Sequence, residues 1–192
     1  MAHLMCYAYV VVPERVHQLL GVTALAAMDR LRAAVAGTSD LGEAEAGALV
    51  HLQAWPGSSV NDLAGVVDRS QPAAVRLVDR LEARGFVRRQ EGADRRTVAV
   101  VLTDAGARAA DTVLAARAAA LAPLLASLSP REREMLERLL GRVAAGLADD
   151  RPGALQTCRL CDRDACFSGP GCPMQHSFEP GGPRPSHSPR HL

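Results

Sequence analysis

Apolar residues recur at three- and four-residue spacing from Pro13 to Val35, on Val16, Leu19, Leu20, Thr23, Ala27, Leu31, Ala34 and Val35, which predicts a long amphipathic helix stopped by Gly37-Thr38-Ser39. A second helix is expected from about Glu43 to Gln53, with Leu41 as an apolar staple before it, Glu45 in its first turn and Trp55-Pro56-Gly57 as its stop. Ser59 and Asp62 form a capping-box start for a short third helix carrying Leu63, Ala64, Val66 and Val67. Ser70 is expected to cap a fourth, in which Pro72 sits harmlessly in the first turn and Gly85 ends the element. Ala74, Leu77, Val78 and Leu81 share one face of it, so Pro72, Arg76 and Asp79 point away.

The period then changes. Phe86 to Gln90 and Thr97 to Leu102 are apolar or β-branched runs around Glu91-Gly92-Ala93-Asp94, and predict a hairpin. Thr103 opens a long alanine-rich helix to about Leu128, with a kink if Pro123 lies inside it. Ser129-Pro130-Arg131-Glu132 is a capping box for a last helix, with Met135, Leu136, Leu139, Leu140, Val143 and Leu147 expected inward. Beyond Asp149 the composition shifts: Arg151-Pro152-Gly153 is expected to be a hinge, and residues 178–192 a disordered Pro/Gly/Ser/His tail.

Charge sharpens this picture at one place. The net charge is only +1, yet Arg69 to Arg96 holds eight arginines against Asp79, Glu82, Glu91 and Asp94, an excess of four. A helix followed by an arginine-tipped hairpin suits DNA: the helix fills a major groove while the tip reaches the minor groove or the phosphates. All 22 basic residues are arginine, a bias that a GC-rich genome produces without functional cause. The apolar run Leu4 to Val12 is too short to span a bilayer, so a soluble cytoplasmic protein without membrane contact is expected.

The order of elements, with Arg76-Leu77-Val78-Asp79-Arg80-Leu81-Glu82, Gly85, the Asp94-Arg95-Arg96 tip and Leu102-Thr103-Asp104-Ala105-Gly106, resembles the MarR family of winged helix-turn-helix regulators over roughly Pro13 to Leu147. The resemblance implies a mainly α fold with a small β-hairpin wing, non-enzymatic, and a homodimer whose terminal helices interlock and set two reading heads on a pseudo-palindromic operator in double-stranded DNA. It implies a repressor answering to an unidentified small-molecule or redox effector. Ser70, Gln71, Ala73, Arg76 and Arg80 would then lie nearest bases or phosphates, and Arg95 and Arg96 in the wing, braced by Asp94. Val75 stands at a commonly polar position, which suits contact with a thymine methyl. Gly42 replaces the hydroxyl cap frequent in the family. Plainer roles stay open beside these: Arg76 and Arg80 as a solvated face, Asp94 as a turn former.

The division expected is 1–37 for the N-terminal segment and dimerisation helix, 38–106 for the winged region, 107–149 for the C-terminal dimerisation helices, 150–177 for a cysteine-rich segment and 178–192 for the tail. In that segment Cys158, Cys161, Cys166 and Cys172 fall within fifteen residues. Soft thiolates at this density suit zinc or an iron–sulfur cluster, or a thiol–disulfide switch. His176 is an alternative ligand whose plainer reading is a tail histidine, and Cys6 has no assigned role. His51 is read as a hydrogen-bonded, partly buried histidine and Trp55 as an anchor at the core edge, near where the family places its effector cavity. A cysteine-centred redox or electron-transfer protein, and a winged module that binds protein instead of DNA, are the competing functions. No Gly-rich phosphate loop or Ser/His/Asp constellation supports an enzyme.

Overall fold

Ser59, Thr103 and Ser129 each act as helix caps, their side-chain oxygens accepting from the backbone N–H of Asp62, Gly106 and Glu132. Around these starts a computed structural model describes residues 14–38, 40–92 and 98–178. The elements are α1 (Glu14–Thr38), α2 (Glu43–Ala54), α3 (Val60–Val66), α4 (Gln71–Ala83), β1 (Val87–Glu91), β2 (Val98–Leu102), α5 (Asp104–Leu121), α6 (Pro130–Ala144), α7 (Arg151–Thr157), α8 (Arg163–Phe167) and α9 (Gln175–Phe178). β1 and β2 pair antiparallel, Val87 opposite Leu102 and Glu91 opposite Val98, and Ser59 makes a single bridge to Ala99. The mainly helical fold with one hairpin matches the expectation.

One core joins these elements. Leu49 and Leu52 of α2, Leu63 and Val66 of α3, Leu81 of α4, Val100 of β2 and Val113 of α5 are all at or below 1% exposure. α1 lies along α5, with Val35 the fully buried member of its stripe. The α4–β1 junction is a Schellman turn: Gly85 has φ +73, its N–H donates to the Glu82 carbonyl and that of Phe86 to Leu81.

Four expectations need correction. α5 does not run to Leu128; it ends at Leu121 and a 3-10 turn follows over Ala122–Leu125, because Pro123 has no N–H to donate and its ring crowds the preceding turn. Arg151-Pro152-Gly153 is no hinge but the first turn of α7, capped by Asp150, whose Oδ1 accepts from the Gly153 N–H at 2.9 Å. Ser70 starts α4 by position, yet its side chain makes no capping bond. The apolar stripe of α6 exists but does not face inward: Met135, Leu139, Leu140, Val143 and Leu147 are 47–59% exposed, and α6 buries no residue. Val16, Leu19, Leu20, Val22 and Leu25 of α1 are likewise exposed. No single helix is long and apolar enough to cross a membrane, and α5 with α6 qualify only together, across a 116° bend.

The Thr103–Gly106 exit shows why the chain reads as it does there. The Thr103 N–H donates to the Phe86 carbonyl at 3.0 Å, its hydroxyl to the Gly85 carbonyl at 2.6 Å, and the Gly106 N–H donates back to that hydroxyl oxygen at 3.1 Å. These bonds draw α5 onto the end of α4 so closely that a Cβ on Gly106 would stand 1.9 Å from the Phe86 carbonyl oxygen. A Gly106→Ala substitution must therefore part α5 from the α4–β1 turn. We expect it to lower unfolding free energy by about 3 kcal/mol in urea titration. Gly65→Ala, with nothing within 4 Å of its added Cβ, should be neutral or slightly stabilising.

Candidate nucleic-acid interface and the adjoining thiol pocket

The inner face of α4 is sealed: Ala74, Val78 and Leu81 are fully buried and Leu77 is 2% exposed. Four side chains at helical spacing held that tightly fix the rotation of the helix about its axis, and so fix what its other side presents. The turn before it passes through Asp68 in a left-handed conformation, φ 49, which aspartate tolerates better than most residues. On the outer side lie Ser70, Gln71 and Arg76, exposed, with Ala73 half-buried and Val75 38% exposed. Among the described residues, no hydrogen bond or ion pair engages the side chains of Ser70, Gln71 or Arg76.

Arg80 differs from Arg76. Its Nε donates to Glu45 Oε1 at 3.2 Å, while Arg84 donates to Glu45 Oε2 at 3.2 Å and to the Asp40 carbonyl at 3.0 Å. Glu45 of α2, only 12% exposed, thus gathers two cations of α4, and Arg80 keeps a 58% exposed side chain beside that pairing. Arg89 of β1 does the complementary work. It pairs with Asp79 at 2.6 Å and with Glu82, so the two carboxylates of α4 are neutralised from the wing. Burial alone would lower the Arg89 guanidinium, but its hydrogen bonds to both acids outweigh that and hold it above its ordinary value. Sequence reasoning missed Glu45, Arg84 and Arg89 as organisers, since their partners lie on other elements and no helical spacing announces them. Asp94, Arg95 and Arg96 of the wing tip lie outside the described residues.

Behind α2 and α3 sits the cysteine segment. α7 packs on α3, and Leu155 and Leu160 join the main core. Cys158, Cys161, Cys166 and Cys172, all half-buried and unpaired, line one cavity of about 210 Å³ with Trp55 and Phe167. The thiols neighbour one another in sequence: Cys158 shares a hydrogen bond with Cys161, Cys161 with Cys166, and Cys166 with Cys172. The bond from Cys161 holds the Cys158 thiol below its ordinary value and pushes that of Cys161 up. As the side chains stand, no three His, Cys, Asp or Glu among the described residues close on a single-ion position. Cys6, the His176 side chain and the tail after Phe178 lie outside the described residues.

Two bridges tie this segment to the winged region. Arg163 donates to the Ala54 carbonyl at 2.9 Å and its guanidinium lies 5.0 Å from the Trp55 ring centroid and 5.2 Å from that of Phe167. Trp55 stacks on His51 at 4.9 Å. His51 Nε2 lies 3.0 Å from Ser58 Oγ, which itself donates to the Trp55 carbonyl at 2.8 Å, so the ring must be the Nε2–H tautomer donating to serine. The Ser58 carbonyl accepts from Val100 of β2. The second bridge is Arg159 to Glu43 at 2.7 Å, with Arg32 of α1 on the same carboxylate at 3.4 Å; the Arg159 hydrogen bond chiefly holds Glu43 below its ordinary value.

Residues 41–98 match the family model described as MarR family. No curated protein sequence matches the chain. Among solved structures, a MarR family protein from Bacillus stearothermophilus is similar at 26% identity over 67% of this chain and 90% of that one, TM-score 0.60. The CouR protein of Rhodococcus jostii RHA1, bound to p-coumaroyl-CoA, is 23% identical over 68% and 92%, TM-score 0.53. A point mutant of S. aureus MepR, bound to an oligodeoxyribonucleotide, is 21% identical over 69% and 97%, TM-score 0.51.

His51 yields a pH signature. Desolvation, its largest influence, pushes the imidazole down from 6.5 to about 4, with Asp62 opposing and Arg151 adding to the shift. Between those values the unfolded chain binds a proton that the folded one refuses. The stability is therefore complete above about 6.5 and lost as pH falls toward 4, by about 3 kcal/mol in all. Denaturant unfolding of wild type and His51→Gln at pH 7 and pH 4.5 should show a smaller loss in the variant. Equal losses would mean that the ring titrates normally.

Proposed function

Residues 41–98 place this chain in the MarR family, and from that premise we propose a homodimeric, sequence-specific DNA-binding transcription regulator that represses from a pseudo-palindromic operator. The observation that carries the reading is the outer side of α4: Ser70, Gln71 and Arg76 stand unpartnered among the described residues, on a helix locked from behind. A side chain held in water by a fixed scaffold is pre-arranged for base edges and phosphates, with Arg76 suited to bidentate contact with guanine and Val75 to a thymine methyl. Arg95 and Arg96 supply the wing contact to the minor groove or backbone, with Asp94 bracing them. A similar protein solved with an oligodeoxyribonucleotide supports the DNA partner, and another solved with p-coumaroyl-CoA supports a small-molecule effector.

The dimer follows from the stripes that this chain leaves in water. Apolar rows on α1 and on α6, each about half exposed, are the kind of surface that a second copy covers in a two-fold interface. Effector control is assigned to the junction around Trp55, where the cysteine segment, α2 and the hairpin meet.

Gel-shift titration against DNA upstream of the protein's own gene tests the reading surface. Arg76→Ala should weaken specific binding tenfold or more, corresponding to about 1–3 kcal/mol. Arg95→Ala with Arg96→Ala should weaken binding to all sequences and flatten its salt dependence. Unchanged affinity and salt slope in both would move DNA binding elsewhere or replace it with protein binding. Leu20→Glu with Leu139→Glu should give a monomer by light scattering, with operator affinity lost; a stable dimer in that variant would reject these stripes as the interface.

A further inference from the structure

Four thiols that reach one cavity from four different places in the chain are a stronger sign than four cysteines near each other in sequence. Cys158 caps α7, Cys161 lies in the loop after it, Cys166 is on α8 and Cys172 stands in the loop before α9. All four line the same space of about 210 Å³. Core packing does not explain them, since each is only half-buried and Cys158 and Cys172 merely flank the small cluster of Ala148, Ala154 and Met174.

The walls of the cavity narrow what it would take. No carboxylate lines it among the described residues, and Gln175 alone offers a side-chain oxygen, too few of the hard donors that calcium or magnesium require. Soft sulfur ligands select zinc or iron–sulfur clusters. The remaining wall carries no negative charge: Trp55 and Phe167 cover it, and Arg151, Arg163 and the neutral Gln175 line it. Arg117 of α5 adds a third positive charge, felt by Cys158, Cys161 and Cys166. A centre ligated by four thiolates is an anion, and three arginines beside it supply the positive charge that such an anion needs.

Size separates the two soft candidates. A zinc ion with Zn–S bonds of about 2.3 Å draws its four sulfurs to roughly 3.8 Å from one another. Here consecutive thiols are hydrogen-bonded in a row around the wall of the cavity, yet no three of them close on one ion position. A cluster spreads its ligands around a core of iron and sulfide, and each iron takes its own cysteine. We propose that Cys158, Cys161, Cys166 and Cys172 together ligate one iron–sulfur cluster seated in this cavity. On its far side the segment borders an open cleft of about 700 Å³ against α5 and α6, which Cys161 and Cys166 also reach, so the centre is accessible to oxidants from solvent.

The proposal does not rest on the DNA-binding reading, and its test is read without DNA. The full-length protein is purified without oxygen, reconstituted with ferrous iron and sulfide, and assayed for iron, acid-labile sulfide, zinc and visible absorption. Iodoacetamide labelling and mass spectrometry then count the protected thiols, with Cys6 as the internal control. The expected result is a brown protein with iron and sulfide, four of its five cysteines protected and Cys6 labelled. Air should bleach the colour and expose the four. Cys166→Ser and Cys172→Ser should each lower cluster content severalfold while keeping the helical circular dichroism of wild type. The labelling pattern of wild type decides the matter even where a variant fails to fold. One zinc per chain without sulfide would overturn the cluster, as would disulfides among the four thiols or five freely labelled cysteines after reconstitution.

Discussion

What the reading helix offers to the outside depends on what it keeps inside. Ala74, Leu77, Val78 and Leu81 leave α4 no freedom to rotate, because each is at or near zero exposure in a close-packed interior. A turn of the helix by one residue would expose leucine and bury Arg76 without a partner, a cost of several kcal/mol in a domain whose net stability is typically about 5–15 kcal/mol. Charge then follows packing. With the face fixed, Glu45 can collect Arg80 and Arg84 at one end, and Arg89 can reach Asp79 and Glu82 from the wing. The pairings hold back some arginines and cancel the acids that would repel a phosphate backbone. Their individual contributions to stability are small at such exposures, so their main effect is on the charge presented around α4.

A second constraint lies behind the hairpin. His51 is buried and neutral, and its single donor is committed to Ser58, whose backbone is in turn bonded to β2. Trp55 covers that ring and Arg163 covers Trp55. Three residue types with nothing in common in sequence thus make one stack, running from the cysteine segment to the root of the wing. The His51 Nε2–H and the Ser58 hydroxyl are both hydrogen-bonded within it, which lowers the cost of placing a histidine in the core.

Much of this is legible in the chain. The capping boxes at Ser59 and Ser129, the inward face of α4, Gly85 as the left-handed stop and the Thr103–Gly106 exit are local signals, each decided by residues within one or two turns. The misreadings are of another kind. Pro123 reads as a kink where it ends the helix, and Arg151-Pro152-Gly153 reads as a hinge because proline and glycine look alike in a linker and in a first helical turn; the cap at Asp150 is the signal that separates the two. The stripe on α6 is correct in period and wrong in direction, since periodicity says that a face wants cover and not which chain supplies it. Glu45, Arg84, Arg89 and the Arg163–Trp55 contact are not legible, because each joins two different elements at a spacing that no local periodicity sets.

The position of the cysteine segment gives these pieces a common consequence. α6 buries nothing within its own chain, so its orientation relative to α4 is set by few intrachain contacts. The segment touches both sides: Arg159 reaches Glu43, which also holds Arg32 of α1, Arg163 reaches the end of α2, and Cys161 and Cys166 border the cleft against α5 and α6. A change in how that segment packs would therefore act on α1, α2, α5 and α6, and not on the outer side of α4. Couplings of about 1–3 kcal/mol, which alter affinity roughly 5- to 150-fold, are typical between such sites. A short stack of Arg163 on Trp55 with one backbone hydrogen bond is of that order. The contact between segment and winged region is thus strong enough to couple the two and weak enough to be changed without unfolding the core beneath it.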